Sequence, residues 1–139
     1  MRAVLDTNVL LAGLRSNKGA SFELLRLLRA GKWKLVLSNT VLTEYEEVVK
    51  REAAALDLTL ADADELLDVL CLLAEPCTVS DRWTPILTDP SDEALVQLAS
   101  EAKANCLVTH NRRHLEPATR LGIKVLAPKQ FLDIVRALP

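Results

Sequence analysis

The stretch "AVLDTNVLLAG", residues Ala3–Gly13, decides how this chain is read. Ala3–Leu5 is a short apolar run with the look of a strand, and Val9–Leu11 resumes the apolar pattern. Between them stand Asp6, Thr7 and Asn8. One Asp, Thr or Asn is enough to cap a helix that follows a strand. The plain reading makes Asp6 that cap. With Thr7 or Asn8 able to cap instead, Asp6 is left as a carboxylate at the edge of the core, free for other chemistry.

Working outward, β-like runs alternate with helical periods. Arg2–Leu5 is the first strand, and a helix over about 21–30 stops at Gly31, a common C-terminal signal. "KLVLS" (34–38) is the second strand, and Ser38 or Asn39 caps a helix running to about Glu52. Thr59–Ala74 reads as a long amphipathic helix with Leu60, Ala63, Leu67, Leu70, Cys71 and Ala74 on one face, ended by Pro76. "CTV" (77–79) is a candidate short strand, and 81–92 is a loop with two prolines. A helix over Asp92–Lys103, strands "CLVT" (106–109) and "IKVL" (123–126), and a last helix from Pro128 complete the chain. The alternation predicts an α/β chain of βαβ units with a mostly parallel sheet covered by helices on both faces. Such sheets bind ligands beyond the carboxyl ends of their strands. That rule points to Asp6-Thr7-Asn8, to Ser38-Asn39 and to Thr109-His110-Asn111.

The totals agree with one domain over residues 1–139. Half the residues are hydrophobic and aromatics are few, so Leu, Val and Ala must fill the core. The net charge of −2 gives no global claim on nucleic acid, so a polyanion needs a local patch or metal ions. Cys71, Cys77 and Cys106 each lie in an apolar run without C-x-x-C spacing, which predicts reduced, buried thiols in a cytoplasmic protein. No basic segment followed by a long apolar one opens the sequence, so no signal peptide is expected. The densest apolar run, "ELLDVLCLLAE", is broken by Asp68 and too short to span a bilayer.

On the second helix of the pattern, Val41, Leu42, Tyr45, Val48 and Val49 form one stripe when successive residues are stepped about 100° apart. Glu44 lies at one border of it and Glu46 at the other, so geometry leaves both open; Glu47 points to water. From Asp92 the residues three, four and seven on are Leu95, Val96 and Ala99, all apolar, whereas Glu93 meets Val96, Gln97 and Ser100. Asp92 therefore leans inward and Glu93 toward water, with Ser91 as the expected cap. In "LVTHNRRH" the bland reading is a turn with Asn111 as N-cap. Taken together, Asp6 and Asp92 meet at one crevice, with Glu44 a candidate third member, and carboxylates so placed repel unless a cation lies between them. Oxygen donors without His or Cys suit Mg²⁺ or Mn²⁺.

The segments "VLDTNVLLAGL", "LVLSNTVLTEYEEVV", "DPSDEALVQLA" and "CLVTHNRRHL" occur in that order and cover nearly the whole chain. In them the sequence resembles the PIN-domain family, and most of all its single-domain bacterial and archaeal members identified as toxins of toxin–antitoxin pairs. The resemblance implies a three-layer α/β/α sandwich and metal-dependent cleavage of RNA. It carries the family's acidic residues onto Asp6, Glu44 and Asp92, choosing Glu44 over Glu46. It matches Thr7, Asn8, Ser38 and Thr109 to small polar residues that support the metal. It also implies an antitoxin partner and a homodimer, for which Val69 and Leu72, off the main face of their helix, offer spare apolar surface. One position departs: many members have Gly-Asp after "VT", and here His110-Asn111 stands instead. Asn111 offers a carbonyl oxygen without charge, so weaker metal binding by one ion is expected.

The resulting expectation is an endoribonuclease in which Asp6, Asp92 and Glu44 hold Mg²⁺ or Mn²⁺ and Glu44 helps deprotonate the attacking water. Arg112, Arg113, His114 and, from a facing loop, Lys18 are candidates to contact the RNA backbone. The rival is a non-catalytic RNA- or partner-binding module, weakened at Asn111. A phosphatase with an Asp nucleophile ranks last, because it would want a second Asp where Asn8 stands.

Overall fold

Ala3, Val4 and Leu5 are all buried, as are Cys106, Leu107 and Val108. Runs buried on both faces belong to the centre of a parallel sheet rather than to a half-solvated one. The computed structural model, which describes residues 1–139, bears this out. Five strands, β1 (Arg2–Leu5), β2 (Lys34–Leu37), β3 (Glu75–Pro76), β4 (Cys106–Val108) and β5 (Lys124–Leu126), pair in the order β3-β2-β1-β4-β5. Every pairing is parallel. Seven helices connect and follow them: α1 (Thr7–Arg15), α2 (Ala20–Arg29), α3 (Asn39–Arg51), α4 (Leu60–Leu73), α5 (Pro90–Glu101), α6 (Arg112–Leu115) and α7 (Pro128–Arg136).

The chain steps from β1 to β2 to β3, then crosses back to β4 and β5 on the other side of β1. With right-handed crossovers this reversal puts α5 on the face opposite α1 and α2, giving the three layers. It also makes the gap between β1 and β4 the topological switch point, where such sheets bind ligands. No helix is long and apolar enough to cross a membrane.

The few aromatic residues sit where layers must be locked. The Tyr45 hydroxyl donates to the Leu5 carbonyl at 2.5 Å and ties α3 to the end of β1. Burial pushes that phenol's pKa up, so it stays a donor. Trp33 packs edge-on against Phe131, ring centres 5.2 Å apart, and donates to the Leu24 carbonyl at 2.8 Å, joining α2 to α7.

Several sequence expectations need correction. "CTV" is not a strand. β3 forms earlier, at Glu75–Pro76, because the chain leaves α4 already extended at Ala74, and Cys77 N–H closes the pairing on Leu37 C=O at 2.8 Å. Helix α5 begins at Pro90 rather than Asp92, and Asp89 rather than Ser91 caps it, accepting from the N–H groups of Ser91 (2.8 Å) and Asp92 (3.3 Å). On α4 the buried face is Ala63, Leu67 and Leu70. Leu60, at the first helical position, precedes that contact and is 62 % exposed. Cys71, a residue round the helix from Leu70, is exposed too.

Only Cys106 is therefore a buried thiol; Cys77 is half-buried. Burial pushes the Cys106 pKa up to about 12 and raises that of Cys77. The thiolate is the reactive form. A disulfide reagent at mildly alkaline pH should consume Cys71 fast, Cys77 slowly and Cys106 only after unfolding. Three thiols reacting alike in the native protein would contradict this burial.

Candidate active site

The carboxyl ends of β1 and β4 lie side by side, with Asp6 N–H donating to Val108 C=O at 2.9 Å. Asp6 occupies the N-cap position of α1, but its side chain makes no capping hydrogen bond. Instead Asp6 Oδ2 accepts from the Thr109 hydroxyl at 2.8 Å, and Thr109 Oγ1 accepts from Asn111 N–H at 2.9 Å. Thr109 is fully buried and holds the carboxylate in one orientation.

Glu44 and Glu46 are separated here. The Thr7 hydroxyl donates to Glu44 Oε2 at 2.7 Å. Glu46 turns outward and pairs with Lys50 at 3.4 Å, and Glu47 is exposed. Ser38 caps α3 by accepting from Val41 N–H at 3.2 Å, which fixes the helix start one and a half turns before Glu44. Asn8 Oδ1 accepts from His110 N–H at 3.4 Å and so joins the two loops of the switch point.

Asp92 is half-buried in the first turn of α5. Burial raises its pKa first, and Asp89, Asp6 and Glu44 add repulsion that the nearby His114 opposes. Asp6 is raised as well, chiefly by burial; Glu44 adds to this, while Thr109 and the backbone N–H groups of Asn8 and Thr7 favour the charged form. The three acids thus feel one another's charge. None of the eight ion pairs of the chain includes any of them. A cluster of hard, uncompensated oxygen donors fits a divalent cation. No three acidic, His or Cys side chains stand close enough to share an ion directly. Mg²⁺, which keeps several of its waters, needs only one or two direct carboxylate contacts.

Asn111 sits at the N-cap of α6 with its side chain exposed and making no cap. Its link to Asp6 runs through its backbone N–H. The basic candidates scatter. Arg112 donates to Gln130 Oε1 at 3.3 Å, Arg113 lies with Glu116, Thr119 and Arg120 around a surface hollow, and Lys18 is exposed on the loop before α2.

Glu93 departs from its expected place in water. Both of its carboxylate oxygens are engaged by the loop preceding α5. The helical pattern of α5 carries no sign of this, because the partners lie in a segment without periodicity. Asp89 was legible: Asp followed by Pro is a helix-start signature.

Residues 2–113 match the family profile described as "PIN domain". Among solved structures, the chain is similar to one described as "Crystal structure of VapBC2 from Rickettsia felis bound to a DNA fragment from their promoter". That similarity has a TM-score of 0.63 at 18 % identity and covers 91 % of this chain and 98 % of the other. Curated protein sequences give no significant match.

Proposed function

This chain belongs to the PIN-domain family, and from that premise we propose that it is a metal-dependent endoribonuclease and the toxin of a toxin–antitoxin pair. One observation carries the reading: Asp6, Glu44 and Asp92 act on one another at the switch point, and none of them is in an ion pair. Asp6 and Asp92 would hold Mg²⁺ or Mn²⁺, with Thr109 keeping Asp6 in orientation and Thr7 doing the same for Glu44. The ion, when bound, supplies an activated water and offsets charge on the phosphate oxygens. Glu44 accepts the proton of the attacking water. Arg112, Arg113 and Lys18 contact the RNA backbone.

Purified protein and labelled RNA test this directly. Cleavage should require Mn²⁺ or Mg²⁺, stop with EDTA and return when metal is restored. Cleavage that persists in EDTA would refute the metal role.

The non-catalytic alternative keeps one supporting observation, the neutral Asn111 where the family often has a fourth acid. The antitoxin part of the reading is supported by likeness to the VapBC2 structure. It is also supported by an apolar hollow of about 350 Å³ lined by Leu10, Leu25, Leu28, Leu66, Val69 and Leu73. Leu72, 85 % exposed, is surface for a homodimer. The proposed location is the cytoplasm.

A further inference from the structure

The segment leading into α5 has no regular secondary structure, yet α5 grips it with side chains spaced one turn apart. Glu93 Oε1 accepts from Trp83 Nε1–H at 2.5 Å and from Ile86 N–H at 2.9 Å; its Oε2 accepts from Leu87 N–H at 2.8 Å. One turn on, Gln97 Nε2 donates to Ser80 C=O at 2.7 Å. One turn further, Glu101 accepts from Ser80 N–H at 2.9 Å and from Gln97 at 2.7 Å. Residues four apart on a helix share a face, so α5 presents a polar ladder to this loop. A loop with no task needs no such grip, because water satisfies an exposed N–H as well.

What the ladder holds in place is the wall of a cleft. The segment faces the start of α3 across a space of about 410 Å³ lined by Thr40, Pro85, Leu87, Thr88, Pro90 and Ala94, among others. A second hollow of about 140 Å³ shares Thr40, Pro90 and Ala94 and is lined by Glu44. The two hollows adjoin, and the second reaches Glu44. No Lys or Arg lines either space, so phosphate is not its ligand. Prolyl, leucyl and methyl surfaces suit the face of a base, and threonine hydroxyls suit the hydroxyls of a ribose.

We infer that this cleft binds a nucleoside of single-stranded RNA beyond the two joined by the bond to be cut, and that Glu93 is the positioning residue that keeps its wall in place. The inference rests on the nuclease reading. It assigns the flank of the substrate to the α3–α5 side and gives the loop a part in choosing RNA.

Two variants test it. Glu93→Gln keeps one acceptor oxygen but turns an NH₂ toward Leu87 N–H, which loosens the wall. Ala94→Phe fills the cleft and leaves the ladder intact, so it serves if Glu93→Gln does not fold. On a single-stranded RNA of about ten nucleotides, long enough to extend past the cut bond into the cleft, KM should rise about tenfold for each variant, with kcat falling far less. The loss in kcat/KM should be smaller on a dinucleotide reporter, which cannot reach the cleft. Binding of the same RNA without metal, read by anisotropy, should weaken in parallel. Parent-like KM in both variants overturns the inference, as does an equal loss on the dinucleotide. A parent that neither binds nor cleaves RNA removes the nuclease reading, and this inference falls with it.

Discussion

Asp6→Asn should lower the proposed metal-dependent RNA cleavage by more than about 100-fold, beyond the ~10–100-fold loss usual for residues that only orient a ligand. The fold survives, because asparagine has nearly the same shape and its carbonyl oxygen can still accept from the Thr109 hydroxyl. What goes is the charge that faces Glu44 and Asp92. Stability then moves in opposite directions with and without metal. Burial raises the pKa of Asp6 in the folded chain, so its ionisation works against folding. The metal-free parent loses stability as pH rises through that raised pKa, and the variant lacks this loss. At a Mn²⁺ concentration 100 times its Kd, binding to the native state adds about 2.7 kcal/mol to the parent. For a domain of this size that is a rise in melting temperature of about 10 °C. The variant should show a higher melting temperature than the parent in EDTA and little response to Mn²⁺. If Asp6→Asn cleaves at the parent rate, Asp6 serves the fold and not the chemistry.

The contrast between Glu44 and Glu93 shows how far a sequence can be read. The order of strands and helices was legible because each element has its own period, and Asp6 was legible because it follows a buried strand directly. Glu44 and Glu46 border the same apolar stripe, and their own helix cannot rank them. The contact that separates them comes from Thr7, 37 residues away. Glu93 reads as facing water for the same reason: its helix offers it no partner, and its partners lie in a loop without periodicity. Leu60 and Cys71 failed differently. Leu60 lies before the packing begins, and in the all-apolar run Val69–Leu73 periodicity fixes the buried stripe only to within a residue, which leaves Cys71 outside.

Asn111→Asp should tighten Mn²⁺ binding about tenfold, worth ~1.4 kcal/mol, and speed RNA cleavage at limiting metal. The change adds an anionic oxygen to the residue whose backbone N–H bonds Thr109, the partner of Asp6. The backbone bond from residue 111 to Thr109, and through it to Asp6, does not depend on the side chain and is kept. The exposed side chain at the start of α6 leaves room for the carboxylate. Without metal the same charge repels its neighbours and lowers stability, so the variant should melt below the parent in EDTA and above it in saturating Mn²⁺. Titration of metal by calorimetry and cleavage rates at several Mn²⁺ concentrations separate the readings. Tighter metal binding with turnover still at background would mean that charge was not what limited the chain, and would favour the binding module. A variant that binds metal more tightly but cleaves more slowly than an active parent would mean that the amide itself serves the reaction, by donating its N–H to a water or a phosphate oxygen. In that case the neutral residue is a working part of the site, and the family's usual Asp is not an improvement on it.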